Sequence, residues 1–350
     1  MWRLLLLSTA WPLLCGFGLF PSGGPAPING MCDAISTGCS EAWGIAEAAV
    51  DSYNGPLFQL TRGQFGPTLD IGQDASHHAD MTTWSAFCGG TNTPTTLPNG
   101  TVIVTNSNCS YSKVYAEVHG SANDLWPSTF GAPFGPNCTA GGGPPSISCA
   151  CPFVYEQATG LPLLHKTTEM CEYTLSADGP VTGVNSGSNS VSILYNGLPG
   201  GTVNCCGQAG ITHAYNAPDT TGTDFSLYVS FNSPSSWGFG LDEESGGDGA
   251  VYTTSQPTGS VFVTASYNQG SNTVAGTING SQKFSNSPPM VTHNPGSSVH
   301  VGGGGDLSQP SNLDIREWGL TNSAISLGDV AAAFTQMQVN YAGKTTYPSY

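Results

Sequence analysis

Thr273-Val-Ala-Gly-Thr-Ile-Asn-Gly-Ser-Gln-Lys-Phe284 is the stretch that sets the fold class. Two strand-like runs, Thr273–Ile278 and Ser281–Phe284, meet at Asn279-Gly280. Asn-Gly tolerates positive φ at both central positions of a type I′ turn, whose twist matches that of a hairpin. Further strand candidates surround this one at regular spacing: Val191 to Tyr195, Phe225 to Phe231, Val261 to Tyr267, Val299 to Val301 and Leu313 to Trp318. Asn279 also begins an Asn-x-Ser sequon, so a tight turn and a glycan compete for one residue.

The first half reads as β as well, with more interruptions. Leu57 to Arg62 alternates, Thr68 to Gly72 stays β-like, and Thr101 to Thr105 and Ser112 to Val118 are further strands. Gly89 to Pro98 reads as a polar loop, Phe153 to Gly160 as a hairpin arm, and Asn123 to Pro145 as a long irregular loop. Two helices are expected. One has Ser40 as N-cap and Trp43, Ala46, Val50 and Tyr53 at helical spacing, and ends at Asn54-Gly55-Pro56. The other closes the chain: Ser326 and Asp329 form a capping box, Val330, Ala333, Phe334 and Met337 a stripe, and Gly343 follows its end. Strands with Gly-rich turns and end helices that cover a sheet imply an all-β sandwich or jelly roll with short flanking helices.

Composition narrows the partners. Only 9% of the 350 residues are charged, and seven basic residues against 23 acidic ones leave a net charge of -16. Phosphate backbones and anionic membranes need clustered Lys and Arg, so neither nucleic acid nor a membrane is an expected partner. A neutral ligand such as a sugar suits this surface. Aromatic residues at 10% argue against disorder.

Residues 1–26 read as a secretory signal, with Arg3 before the apolar run Leu4 to Leu14. Residues 27–350 are then expected to form one secreted, extracellular domain. Beyond Cys15, ten cysteines remain, an even number in an oxidising compartment, and are read as five disulfides. Cys32 and Cys39 bracket a short loop, and Cys88 and Cys109 enclose a longer one; each is expected to pair. Partners among Cys138, Cys149, Cys151 and Cys171 are not deducible. Sequons begin at Asn99, Asn108, Asn137 and Asn279.

Three features carry chemistry. Asp242-Glu243-Glu244 follows Trp237-Gly-Phe-Gly, and in an extended chain Asp242 and Glu244 share a face while Glu243 takes the other. Carboxylates held close must divide their roles. Cys205-Cys206 either bond to two distant partners or to each other, and the second arrangement presents a flat, stiff, apolar surface. Gly302 to Gly305 precede Asp306 without a side chain, so backbone can approach a ligand closely there. His77-His78 with Asp80 lacks a second ligand pair at metal spacing, and no metal or cofactor is expected.

These pieces resemble the catalytic domain of glycoside hydrolase family 54, the secreted α-L-arabinofuranosidases of the B type. The likeness rests on Met31-Cys-Asp33, Cys39, Tyr53-Asn-Gly-Pro-Leu-Phe-Gln-Leu60 with Arg62, Phe87-Cys88, Cys109, and Tyr115 through Asn123-Asp-Leu125. Later landmarks are Cys205-Cys206, Trp237-Gly-Phe-Gly, Asp242-x-Glu244 and Gly304-Gly-Asp306. Residues 126 to 200 do not match well. The resemblance implies a concanavalin-like β-sandwich and a retaining hydrolase acting on arabinofuranosyl groups of arabinoxylan or arabinan. It implies Glu244 as nucleophile, Asp306 as acid/base, and Asp242, Trp237, Gly305 and a vicinal Cys205-Cys206 disulfide at the sugar. A shorter spacing than the family's before Asp-x-Glu leaves Glu243 as the alternative nucleophile. No C-terminal binding module is expected, and a monomer is. A lectin on the same scaffold and a disulfide-stapled wall protein are the other readings.

Overall fold

A computed structural model describes residues 30–63, 66–97, 99–128, 151–165, 172–175, 190–198, 210–213, 225–229, 237–242, 250–254, 258–268, 270–286, 299–301 and 314–348. Among the described residues the chain is an all-β sandwich with two α-helices, α1 (Trp84–Cys88) and α2 (Leu327–Asn340). The inner sheet orders β1 (Glu41–Gly44), β19 (Asp314–Thr321), β10 (Val191–Leu198), β15 (Val261–Asn268), β16 (Thr273–Ile278) and β17 (Ser281–Asn286), all antiparallel. The outer sheet runs from β3 (Thr68–Ile71) through β2 (Phe58–Arg62), β5 (Val102–Val114), β6 (Leu125–Ser128), β9 (Glu172–Leu175), β18 (Val299–Val301) and β11 (Gly210–His213). It ends with β12 (Phe225–Val229), β13 (Trp237–Asp242) and β14 (Ala250–Thr254). Beside the first part of β5 lie β4 (Asn92–Thr96) and β7 (Cys151–Glu156). The sheets are joined by β8 (Pro162–His165), which pairs with β7 on one side and β19 on the other.

The hairpin at 279–280 forms as its sequence dictates. Asn279 and Gly280 adopt φ of 46° and 76° between β16 and β17. The core between the sheets takes Phe58, Tyr111, Val114, Leu125 and Phe153 from the outer sheet and Ile193, Tyr195, Val263 and Trp318 from the inner one. Trp43 stacks on Trp318 with ring centroids 5.6 Å apart. The back of the inner sheet is also covered. Leu194 and Phe262 meet Met31, Ala42, Ala46 and the stripe Val330, Ala333 and Met337 of α2 (Leu327–Asn340). Both faces of the sheet's centre are therefore dry: all eight residues of β19 are buried, whereas the edge strand β17 is largely exposed. The closing helix has the full capping box at Ser326 and Asp329.

Three expectations need correction. Residues 40–53 do not form a helix; Glu41–Gly44 is a strand paired with β19. Its helical periodicity arose because both faces of this segment are buried, so apolar residues recur at spacings that also fit a helix. The strand ends where Gly44 packs too closely for any side chain: a Cβ there would sit 1.9 Å from the Glu47 carbonyl oxygen. Residues 92–96 are an edge strand rather than loop, exposed throughout and with Pro94 within it. Within the expected loop 123–145, Leu125–Ser128 is a strand; the expected strands 101–105 and 112–118 meet in the single long β5, which ends at Val114, so 115–118 is not strand.

Candidate active site

Antiparallel pairing puts opposed residues on one face of a sheet. Following the register across the outer sheet yields a single row. Asp242 opposes Ser226, Ser226 opposes Thr212, Thr212 opposes His300, and His300 opposes Thr174. Thr174 opposes Trp126, and the pairing of Leu125 with Val114 brings Trp126 level with Lys113. Lys113 opposes Gln59, which opposes Asp70. Every position in this row is polar or amphipathic. The adjacent row is apolar where the strands are short: Leu241, Leu227, Ile211 and Val301 oppose one another in turn. At the far end the neighbours of the polar row, Phe58, Val114 and Leu125, are fully buried in the core. At this end one face of the outer sheet carries the core, and the register assigns the polar row to the alternate positions.

The predicted site residues distribute unevenly over this frame. Asp242 ends β13 on the polar row. Trp237 begins the same strand on the alternate set, with Phe239 and Leu241, so the strand does not bring it to Asp242's face. Glu243, Glu244, Cys205, Cys206, Gly305 and Asp306 lie outside the described residues. Their flanks are described. Gly210, four residues after Cys206, opens β11, and Val301, five residues before Asp306, closes β18. Ile211 opposes Val301, so both segments attach at the same end of adjacent strands.

The described end of the stripe is tightly organised. The Lys113 ammonium lies 4.6 Å from the Tyr115 ring centroid, 4.5 Å from that of Trp126 and 3.3 Å from the Asp124 carboxylate. The Tyr115 hydroxyl and the Gln59 amide both donate to one oxygen of Asp70, at 2.7 and 2.8 Å. Burial, then the bond to Asp70, raises the Tyr115 pKa and keeps its phenol protonated.

A second group of carboxyls sits behind the inner sheet. Glu47, Glu117 and Glu317 are buried. Burial is the chief cause that pushes all three up, Glu317 to about 7. Glu317 accepts from the Asn196 amide at 2.8 Å and the Tyr341 hydroxyl at 3.0 Å. Glu47 accepts from the Asn340 amide and faces the His78 ring at 3.3 Å. His78 is itself buried, which lowers its pKa, and its Nε2 lies 3.2 Å from the Asn340 carbonyl oxygen. His77 instead faces Asp51 at 3.6 Å. Adjacent histidines thus serve opposite sides of the backbone. These groups tie the 45–50 segment, β19 and α2 together, and all three carboxyls are buried among the described residues.

Cys32–Cys39 and Cys88–Cys109 are disulfides, and Cys151 is disulfide-bonded as well. The first packs on β19, where a Cβ at Gly319 would lie 2.8 Å from Cys39 Sγ. Cys138, Cys149 and Cys171 lie outside the described residues, as does Asn137. Asn108 is exposed. Asn99 accepts from the Thr101 amide at 3.0 Å, and its own amide nitrogen is buried. Asn279 is committed to the turn. Its side chain accepts from Phe262 N at 2.7 Å and donates to the Pro348 carbonyl at 2.8 Å.

No protein-family profile matches the chain. A protein named alpha-L-arabinofuranosidase B, from Penicillium canescens, is 42% identical over 66 residues, which is 18% of this chain and 14% of that one. The solved structure of an arabinofuranosidase complexed with arabinofuranosyl-alpha-1,2-xylobiose superposes with a TM-score of 0.63 at 18% identity, covering 91% of this chain and 66% of the other. A GH54 α-L-arabinofuranosidase soaked with a cyclic sulfate inhibitor gives 0.62 at 17% identity, with the same coverage. The chain resembles glycoside hydrolase family 54. It shares the family 54 sandwich over nearly its whole length, and its sequence match to the B-type enzymes is local. It spans about two-thirds of the length of the solved family 54 proteins.

The polar row itself escaped sequence reading, because four of the eight pairings that join its nine strands link strands distant in the chain. The alternation Lys113-x-Tyr115 is the one local trace of it.

Proposed function

We propose that this protein is a secreted, retaining α-L-arabinofuranosidase that removes terminal arabinofuranosyl groups from arabinoxylan or arabinan. The observation that carries the reading is the placement of Asp242 on the polar row, on a sandwich of family 54 shape. If the extended geometry of β13 continues past Asp242, residue 244 keeps that face and residue 243 turns to the apolar one. This favours Glu244 over Glu243 as the nucleophile.

Reach supports the pairing with Asp306. Asp242 and Val301 stand three strands apart, or ~14 Å at the usual strand spacing. Glu244 follows Asp242 by two residues and Asp306 follows Val301 by five. Fully extended, such tethers span ~7 and ~17 Å. Two carboxyls ~5 to 5.5 Å apart, as retention requires, are within that reach.

In the first step the ionised Glu244 oxygen attacks the anomeric carbon as the glycosidic bond breaks. Asp306 gives its proton to the leaving oxygen. In the second, Asp306 takes a proton from water, the water oxygen attacks the anomeric carbon, and Glu244 leaves as carboxylate. Asp242 orients the sugar, and a vicinal Cys205-Cys206 disulfide would supply a flat apolar support for it.

The test is release of 4-nitrophenol from 4-nitrophenyl α-L-arabinofuranoside by the purified protein and by Glu244→Gln. Release by the first and not the second supports the reaction and the nucleophile together. Equal release by both removes Glu244 from that role. No release by either, with arabinose still raising Tm, leaves a sugar-binding protein without hydrolysis.

A further inference from the structure

We propose that the Asp70–Gln59–Lys113–Trp126 end of the polar row, with Tyr115, is a second glycan contact. It would grip the backbone of a neutral, pentose-rich polysaccharide away from the cleavage point. The identity of the glycan rests on the reading above; the existence of the contact rests on the cluster itself.

The cluster has the attributes of a pre-organised carbohydrate surface. Trp126 and Tyr115 are half-buried, and each ring is fixed by the same ammonium, 4.5 and 4.6 Å away. Rings that stand rigid before the ligand arrives lose little entropy when a sugar face stacks on them. The polar groups are locked too. Gln59 donates to Asp70 at 2.8 Å and accepts from the Ser112 hydroxyl at 3.0 Å, while Tyr115 donates to the same Asp70 oxygen. Asp70 is exposed, and its second oxygen is open to a ligand hydroxyl.

The charge pattern selects a neutral occupant. Lys113 is matched by the buried Asp124 at 3.3 Å, so no net positive charge is left to hold a phosphate or a uronate. Position selects a polymer. Trp126 stands two strands from β18 and five from β13 in one continuous row, ~10 and ~24 Å at the usual spacing. A chain laid across the strands would meet the cluster with one part and the strands leading to Asp306 and Glu244 with another. A small aryl glycoside cannot span that distance. A cluster that only staples β5 to β6 would hold these strands without affecting any polymer.

The experiment uses depletion of the full chain from solution by insoluble arabinoxylan, beside turnover of soluble arabinoxylan and of 4-nitrophenyl α-L-arabinofuranoside. Trp126→Ala is expected to weaken polymer binding about tenfold, the loss of one good stacking contact. The ratio of polymer to aryl kcat/KM should fall in proportion. Tyr115→Phe, which frees Asp70 from its phenol, should weaken binding about threefold. Trp126→Phe keeps a ring and should restore part of the loss.

Binding by Trp126→Ala equal to that of the unaltered protein overturns the proposal. So does an equal fall in aryl and polymer turnover, which would mean the indole acts through the fold. If Trp126→Ala does not fold, Tyr115→Phe decides, and unchanged binding there overturns the proposal. The two readings fail separately. Binding that depends on Trp126 without any hydrolysis removes the hydrolase and keeps this contact. Aryl hydrolysis without polymer binding does the reverse.

Discussion

Carboxyl groups occupy two settings in this molecule. Behind the inner sheet, Glu47, Glu117 and Glu317 are sealed among α2, β19 and the 45–50 segment, and burial raises all three. On the outer sheet, Asp70 is exposed and hydrogen-bonded, and Asp242 holds a strand-end position in the same row of the register. Perturbed carboxyls are a common mark of active sites. Here the described ones that are most perturbed belong to the scaffold. Exposure at Asp70 and a shared row on the outer sheet set the second group apart from the first.

The sharpest way to break this comparison is to remove one carboxylate from each setting. Under the proposed mechanism Glu244→Gln is expected to lower aryl arabinofuranoside turnover on the order of 10⁴-fold, because it removes the proposed nucleophile. Glu317→Gln should keep most of the turnover and change the melting temperature instead. Rates measured on both variants decide the matter. A large rate loss in Glu317→Gln with Glu244→Gln active would move the chemistry behind the inner sheet.

Next in size is the ion pair that closes the buried layer. Arg316 is fully buried, 2.6 Å from Glu156, bonded to the Ser260 hydroxyl at 2.5 Å and 5.2 Å from the Tyr341 ring. Arg316→Met leaves the Glu156 charge uncompensated, at a cost of about 3–5 kcal/mol. Denaturant unfolding should show that loss, while aryl turnover well below the new Tm stays near its original value. A loss below about 1 kcal/mol would mean that water reaches Glu156 and the layer is not sealed.

How far the sequence foretold this arrangement follows from where each signal lives. The Asn279-Gly280 hairpin and the Ser326 capping box are local, set by one turn and one helix start, and both formed as read. Segment 40–53 was misread because burial on both faces removes the period that distinguishes strand from helix. The polar row depends on pairings such as Thr212 with His300, residues distant in sequence, and no window along the chain contains it. Asp242-x-Glu244 and Gly304-Gly-Asp306 are read as motif and as family resemblance, and of their carboxyls only Asp242 lies within the described residues. That Trp237 and Asp242 fall on alternate sets follows once 237–242 is one unbroken strand.

Acidity sharpens the comparison further. Glu317, pushed up to about 7 from an ordinary 4.5, holds a proton that the unfolded chain gives up at lower pH. Between these values the folded protein binds more protons than the unfolded one, so stability falls as pH rises. The contribution is full below about pH 4.5 and lost as pH climbs through 7; Glu47 and Glu117 act in the same direction. Thermal melts from pH 4 to 8 should show Tm highest on the acid side of that window. Glu317→Gln should flatten the decline. A Tm that rises through this window would show that the buried carboxyls ionise without strain.

The smallest effect concerns the lid over that layer. Ser326 caps α2: its hydroxyl accepts from Asp329 N at 3.1 Å, and Asp329 accepts from Ser326 N at 3.3 Å. Asp329 also accepts from Ser36 N at 2.9 Å, and that bond is the first cause of its lowered pKa. Ser326→Ala should cost about 1 kcal/mol, a shift of roughly 2–4 °C in Tm for a chain of this size. Because α2 carries Asn340 beside Glu47, and Tyr341 beyond its end holds Glu317, a looser start to the helix should also admit water to these carboxyls. The pH dependence of Tm would then weaken in Ser326→Ala along with its absolute value. If Tm drops while the pH dependence keeps its full slope, the helix frays at its first turn without disturbing the acid layer, and the seal lies in Asn340 and Tyr341 alone.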